Sequence, residues 1–370
     1  MTADEADLVV ALRPARPVER ILVADAGLGD LRAATRARVL GVDALVPIVS
    51  PANPAPPLTL PELAALFSGG VPDWGALGGP PGPVRPHLPV PGTGLADAFE
   101  DAVMRPAALA PAPATLHADP DALAAAVAAD PGAIGIARRS EVGPAATVPL
   151  RGACGEPLAA GVAGARSGDD PLAMPVLLYG PARRLPPMAR SLAASLVAPE
   201  AEEALPAAGL LDRAPSRTPL GAQGLRLARA IAAAGDGVAL ADLQRLAARL
   251  AGRERLSTTI RFADGATGLG AVGQDDVLRL ARRIAEGELD ARSLLLAGFS
   301  DAQGSAARNR RLSARRAEAV RTALLEALEA LGAAGRIEIA AEGFGEAAPL
   351  ACDDTPWGRR INRRVEVWAG

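Results

Sequence analysis

GFSDAQGSAARNRRLSARRA occupies residues 298–317 and decides the fold of the C-terminal third of the chain. The apolar run just before it, at 293–297, predicts a strand. Residues 306–331 then predict a long helix that ends at Gly332, because apolar side chains recur along one face and glycine commonly closes helices. Asp301 is therefore expected in a loop between a strand and a helix.

The segments around this stretch complete a mixed pattern of strands and helices. We predict strands at 257–262, 336–340 and 364–368, a helix at 275–286, and a short helix capped by Thr355 with Pro356 at its first position. The order is β-α-β-α-β, followed by a short helix and a strand. This predicts an α+β domain with helices packed against one sheet.

Short motifs in this region carry a resemblance to a known family. They are Gly298 to Gly304, then Asn309, Leu312-Ser313 and Arg316-Ala317, then Gly343 to Glu346 with Pro349, and finally Gly358-Arg359 and Asn362 to Glu366. Their order and spacing resemble the OmpA-like family. The resemblance implies a domain that binds peptidoglycan through the diaminopimelate of the stem peptide, without catalysis.

By this resemblance Asp301 and Arg316 form the ligand-binding pair. Diaminopimelate carries an ammonium group and carboxylates close together, so a pocket for it needs an anion and a cation. A carboxylate can take the ammonium, and the planar arginine fork can hold a carboxylate through two hydrogen bonds. Asn309 is expected to brace the loop. The alternative is that Asp301 only caps a turn and Arg316 is one more solvated arginine.

Three positions depart from the family pattern. Phe299 and Ser300 replace the usual histidine and threonine, and Asp353 stands where asparagine is common. Ser300 keeps a hydroxyl and is retained as a peptidoglycan-binding candidate. Phe299 is expected to line the pocket or pack beneath it.

The front part of the chain alternates strands with helices. We predict strands at 7–12, 20–25, 43–49, 133–137 and 174–179, and helices at 60–67, 92–104, 121–129, 187–197 and 200–208. This alternation indicates an α/β domain. It is expected to span residues 1–214. Residues 215–255 are expected to be a linker or helical connector, or the first elements of a C-terminal domain at 256–370.

The front part resembles, more loosely, the phosphate-type periplasmic solute-binding proteins. The supporting residues include Asn53-Pro54, Leu58 to Gly69, Asp73-Trp74, Gly92-Thr93 and Asp170 to Tyr179. The resemblance begins partway through the first lobe of that fold, so we expect this lobe to be incomplete. The N-terminus has acids where a signal peptide needs a basic start, and no export signal is predicted.

The anion-binding candidates of this domain are Gly92, Thr93 and Arg13. The family binds an oxyanion at Ser-Gly-Thr on a helix N-terminus, but here proline precedes Gly92, which removes one hydroxyl and one N–H group. The arginine expected before this loop is missing, and His87 is the nearest replacement. We therefore expect weak or absent phosphate binding, with Thr93 acting as a plain helix cap.

Composition excludes several classes of protein. The net charge of −3 argues against a general nucleic-acid binder. The sequence lacks the run of about 20 apolar residues that a transmembrane helix needs. It also lacks clustered cysteine and histidine, a nucleophile elbow and a P-loop, so no metal site, cofactor or enzyme is expected. Cys154 and Cys352 are expected to be unpaired thiols.

The sequence thus predicts a periplasmic protein associated with the cell wall or outer membrane. Its expected function is non-covalent peptidoglycan binding, with a front domain that is a degenerate solute receptor. The alternative is a wall-tethered protein that binds phosphate or another small anion within a transport or sensing system.

Overall fold

The computed structural model describes residues 6–33, 35–152, 162–232 and 237–370. The front part carries seven strands and seven α-helices within these ranges. They are β1 Val9–Ala11, α1 Pro17–Asp25, β2 Ala37–Val49, α2 Leu60–Phe67, β3 Arg85–Pro89, α3 Gly94–Phe99, β4 Thr115–His117, α4 Pro120–Ala129, β5 Ala133–Arg138, β6 Ala146–Thr147, α5 Val162–Ser167, β7 Ala173–Tyr179, α6 Pro187–Leu196 and α7 Pro199–Ala204.

These strands form one sheet in the order β1-β7-β2-β5-β3-β4, and β6 also pairs with β2. Strand β2 is long enough to pair with β7 along its first half and with β5 along its second half. A buried apolar cluster that includes Leu45, Phe67, Phe99 and Ile134 fills one side. The predicted α/β domain is confirmed.

The prediction of a strand at 20–25 is wrong, because these residues belong to helix α1. Pro17 stands at the start of the helix, and the Glu19 carboxylate accepts a 2.7 Å hydrogen bond from the backbone N–H of Arg16. None of the residues of α1 is buried. Within the run ILVA, Val23 packs partly buried against a core cluster, whereas the other three residues are exposed.

The remaining elements build the second domain. They are β8 Arg217–Pro219, α8 Gly224–Ala232, α9 Leu240–Leu250, β9 Glu254–Arg261, α10 Ala271–Glu286, β10 Ser293–Phe299, α11 Ala306–Ala330, β11 Glu338–Gly343, α12 Pro356–Asn362 and β12 Arg364–Ala369. The sheet order is β11-β10-β12-β9-β8. The predicted α+β domain is confirmed.

Alternate residues of β10 face different layers of this domain. Leu294 and Leu296 pack under helices α10 and α11, whereas Leu295 and Ala297 face a cluster that contains Leu246 and Leu250 of α9. Strand β8 pairs with β9. Two elements of the segment 215–255 therefore pack on the second sheet, and the domain limits 1–214, 215–255 and 256–370 stay a prediction.

Buried ion pairs join the two domains. Asp169 of the front domain accepts hydrogen bonds from Arg255, at 2.9 Å and 3.2 Å, and from Arg261. Asp275 on α10 pairs with Arg38 of β2 at 2.6 Å. Asp275 also forms ion pairs with Arg213 and with Arg279 of its own helix. These ion pairs, which water reaches poorly, thus cross between the two domains.

The prediction of two unpaired thiols is wrong for Cys352, which is disulfide-bonded. No free cysteine occurs in the described ranges. Cys154 lies outside the described residues. Unpaired thiols were expected because the two cysteines stand about 200 residues apart and a disulfide would have to join two domains. Sequence separation does not show which loops meet in space.

Candidate functional site

Asp301 lies two residues beyond the end of β10, in the loop that leads to α11. Its side chain is buried, with 5% exposure. Oδ2 accepts a 2.7 Å hydrogen bond from Nη1 of Arg363, and Oδ1 accepts only a long one, 3.4 Å, from the backbone N–H of Gln303. One carboxylate oxygen is therefore firmly held and the other only weakly engaged.

Arg316 lies on the buried face of α11 and has no exposed surface. Its Nε donates to the carbonyl of Ala266 at 2.9 Å and its Nη2 to that of Ala263 at 3.4 Å. Its Cζ lies 5.3 Å from the ring centre of Phe262. These contacts fix the plane of the guanidinium under the loop that follows β9.

The third nitrogen of this guanidinium, Nη1, is buried and has no protein hydrogen-bond partner. Burial lowers the pKa of Arg316 to about 10, and the nearby charge of Asp301 acts in the opposite direction. The side chain therefore stays a cation at neutral pH. A buried N–H on a cation that lacks an acceptor is costly, so this atom favours an anionic ligand.

The hydroxyl of Ser300 is also buried without a protein partner. The backbone N–H of Ser300 donates to the carbonyl of Gly345 at 2.9 Å, which joins this loop to the one that follows β11. No ion pair joins Asp301 to Arg316 within the described ranges. The two opposite charges are thus close but not neutralised by each other, an arrangement that suits a ligand with both charges.

The structure adds three residues that the sequence did not place at this site. Arg363 binds Asp301 directly. Asp353 accepts a hydrogen bond from the backbone N–H of Ala302, and another, 2.7 Å long, from the side-chain amide of Asn362. Burial raises the pKa of Asp353, while these hydrogen bonds lower it. The closing Asn-Arg-Arg motif was the available signal, but its spacing does not show which arginine turns toward Asp301.

Asn309 braces a different loop from the one expected. Its side-chain amide donates a 2.6 Å hydrogen bond to Glu346, in the loop after β11. Phe299 packs beneath the site, where its ring stacks on Phe344 at a centroid distance of 5.8 Å. Arg364 lies 4.2 Å above the Phe299 ring and is fully buried. These residues form the floor of the site rather than its binding surface.

The front-domain candidates have a different arrangement. Thr93 caps α3, since its hydroxyl accepts from the backbone N–H of Ala96 at 3.3 Å and donates to the carbonyl of Val90 at 3.0 Å. Gly92 has a φ of +85°, which suits glycine in the turn before the helix. Both residues therefore have local structural roles.

Arg13 is held by carboxylates of the front domain itself. Its two terminal nitrogens reach Glu19 at 2.6 Å and 2.8 Å, and one of them also reaches Asp97 at 2.8 Å. The hydrogen bond from Arg13 lowers the pKa of Glu19 to about 2. His87 does not join this group, because its Nδ1 lies 2.9 Å from Nε2 of His117.

Comparison with known proteins finds similarity in both parts of the chain. The model of the OmpA family matches residues 261–363. The C-terminal part of this chain is thus similar to OmpA domains. A second model, a PBP superfamily domain, matches residues 2–179. The match to the OmpA family suggests association with peptidoglycan.

Individual relatives cover parts of the chain. Outer membrane porin F of Pseudomonas aeruginosa is 45% identical over 75 residues, which is 20% of this chain and 20% of the porin. An ABC-type phosphate transport receptor from Vibrio cholerae aligns with 56% of this chain and 80% of the receptor, at 18% identity and a TM-score of 0.45. The peptidoglycan-associated lipoprotein from Burkholderia pseudomallei aligns with 30% of this chain and 88% of its own, at 26% identity and a TM-score of 0.26.

The chain thus spans about a fifth of the curated porin that it matches. The OmpA domain and this porin suggest association with the cell envelope. Among the described residues, no helix is both long and apolar enough to cross a membrane.

Proposed function

We propose that this chain is a non-enzymatic cell-envelope protein that binds peptidoglycan non-covalently through the diaminopimelate of the stem peptide. The observation that carries the proposal is the buried Nη1 of Arg316, a cationic donor without a protein acceptor. A ligand carboxylate would satisfy this donor. An ammonium group on the same ligand would meet Asp301 nearby.

The geometry suits an amino acid headgroup better than a simple anion. The weakly engaged oxygen of Asp301 would repel phosphate or sulfate, but it attracts an ammonium group. Arg363 holds the other oxygen of Asp301, so the carboxylate is already oriented before the ligand arrives. Ser300 offers a hydroxyl that can donate to a ligand carboxylate or accept from an ammonium group.

Co-sedimentation with isolated diaminopimelate-type peptidoglycan tests this proposal. The wild type should pellet and an Asp301→Asn/Arg316→Ala double variant should stay in solution. The matched control is Arg311→Ala/Arg315→Ala, which removes two exposed arginines of the same helix. Free diaminopimelate stem peptide should release the wild type. If the double variant pellets as the wild type does, the assignment of this ionic pair is wrong.

We infer further that the front domain is a degenerate solute receptor. Arg13 is already bound by Glu19 and Asp97, and Thr93 uses its hydroxyl within its own turn. A phosphate ion would have to displace two carboxylates from one guanidinium, against their charge. This supports the degenerate domain over the wall-tethered anion receptor.

A further inference from the structure

Trp357 belongs to the core of the opposite domain. It lies on α12 of the OmpA domain, yet it is 4% exposed within a cluster whose other buried members all lie between Leu45 and Met174. Its indole N–H donates a 2.7 Å hydrogen bond to the backbone carbonyl of Ala102. A side chain of one domain thus fills a hole in the other.

The far end of the same helix is also fixed to the front domain. Arg261 donates to the carbonyl of Ile361, and its other terminal nitrogen donates to Asp169 of the front domain. Asp169 is nearly buried and holds Arg255 as well. Helix α12 is therefore attached to the front domain near both of its ends.

Helix α12 leads directly into the candidate diaminopimelate site. Its last residue, Asn362, holds Asp353 through its side-chain amide at 2.7 Å. The next residue, Arg363, holds Asp301 at 2.7 Å. A shift of this helix would move both contacts, because they are made within one residue of its end.

The front-domain segment that accepts the hydrogen bond from Trp357 makes hydrogen bonds of its own. Ala102 lies in a π-helical turn, Glu100–Met104, that continues α3. Its neighbour Asp101 accepts two hydrogen bonds from Arg16, at 3.0 Å and 3.1 Å. Asp97 of α3 binds Arg13 in the same way at 2.8 Å. The residues beneath Trp357 are thus hydrogen-bonded to the segment that contains the anion-site candidate Arg13.

We propose that the front domain positions the peptidoglycan site, with Trp357 as the positioning residue that transmits its support through α12. This inference rests on the proposed function of the Asp301–Arg316 site. Trp357 touches neither of those side chains in any contact of the described residues. Its effect on binding comes from holding Arg363 and Asn362 in the orientation that prepares Asp301.

The test compares Trp357→Phe and Trp357→Ala with Trp74→Phe in the full chain. Trp74 is a matched control, since it lies in the same cluster and donates its indole N–H to the carbonyl of Gly132 at 3.2 Å. The probe is a diaminopimelate-containing stem tripeptide, measured by calorimetry. We expect Kd to rise about five-fold or more for Trp357→Phe, further for Trp357→Ala, and not for Trp74→Phe.

Hydrogen exchange at 100–104, compared with exchange in the rest of the front domain, supplies a readout that a uniform change in stability would not move, since such a change affects all globally protected amides. Coupling between sites is reciprocal, so the tripeptide should slow amide exchange at 100–104 in the wild type but not in Trp357→Phe. If both Trp357 variants bind like the wild type and the tripeptide leaves exchange at 100–104 unchanged, the positioning role is overturned. If the wild type itself does not bind the tripeptide, the proposed function fails instead. Trp357→Phe keeps the aromatic packing and answers the question even if Trp357→Ala does not fold.

Discussion

The guanidinium of Arg363 and the carboxylate of Asp301 are joined by a hydrogen bond of 2.7 Å in a nearly buried site. This contact leaves one oxygen of Asp301 almost unengaged and fixes its direction. A carboxylate that is already oriented loses little conformational freedom when it receives a ligand ammonium. Arg363 therefore orients Asp301 for the ammonium group of the proposed ligand without having to contact the ligand itself.

Replacing Arg316 with lysine should weaken stem-peptide binding at least ten-fold while the chain stays folded. Lysine keeps the charge and has three donors, but all three sit on one nitrogen. It therefore cannot match the planar guanidinium, which reaches the carbonyls of Ala266 and Ala263 from two nitrogens and leaves a third for the ligand. Calorimetry with the diaminopimelate tripeptide measures the loss. A tripeptide whose diaminopimelate carboxylate is amidated should also bind the wild type weakly. Its affinity should fall little further when the protein carries Arg316→Lys. Independent, additive losses would show that Arg316 does not contact that carboxylate.

Phosphate should leave the melting temperature of the wild type unchanged. If the front domain bound phosphate with a Kd of about 1 μM, a 1 mM solution would stabilise it by about 4 kcal/mol. Because Arg13 is occupied by Glu19 and Asp97, no such stabilisation is expected. Differential scanning fluorimetry measures the shift, with the diaminopimelate tripeptide as the positive control. A dose-dependent rise with phosphate would restore the wall-tethered anion receptor.

Acid should weaken the contact between the domains through Asp169. Burial raises the pKa of this carboxyl, but the charges of Arg255 and Arg261 outweigh burial and bring it to about 2. The unfolded value is about 3.9. The folded state thus binds its proton less readily, so the stabilisation is present above about pH 4 and is lost as the pH falls through the folded pKa.

Asp169→Asn should therefore lower the free energy of unfolding by about 2 kcal/mol at pH 7, and the difference from wild type should shrink near pH 3. Urea unfolding at the two pH values measures it. Asp121→Asn, an exposed acid on α4, is the control and should change neither value. A deficit at pH 3 as large as that at pH 7 would contradict this linkage.

His87 should titrate below the ordinary histidine range. Burial has the largest effect and lowers the pKa of His87, and the neighbouring His117 lowers it further. The charge of Asp130 raises this pKa, and that of Arg85 lowers it. An unfolded histidine titrates near pH 6.5. The folded state resists protonation, so stability is complete above about pH 6.5 and declines as the pH falls through the folded value. NMR titration of the imidazole protons measures it, and a midpoint at or above 6.5 would disprove the prediction.

Local signals in the sequence were enough to predict the helices and strands within residues 256–370, but not strand β8. Thr355 and Pro356 marked the start of α12, and the apolar face of 306–331 marked α11. The same kind of signal failed at 20–25, where an apolar run lies on an exposed helix. Periodicity reports which residues are apolar, but it does not show whether a core is present to receive them.

The partners of the site residues could not be predicted in the same way. Asp301 and Arg316 were identified through a motif, and whether they bind a ligand stays a prediction. The contact from Arg363 to Asp301 spans 62 positions, and the one from Trp357 to Ala102 spans 255. Contacts of this kind depend on how loops and domains meet, which residue spacing does not encode.

Helix α9 covers the second face of the OmpA sheet, and this limits where the domain can be separated from the rest of the chain. A fragment beginning at Leu256 would lose Leu246 and Leu250, and it would expose the aromatic side chains of Phe344 and Trp368 that they cover. Such an uncovered apolar face promotes self-association. A fragment that keeps this cover should start before Arg217, so that strand β8 and helix α9 are carried with the sheet.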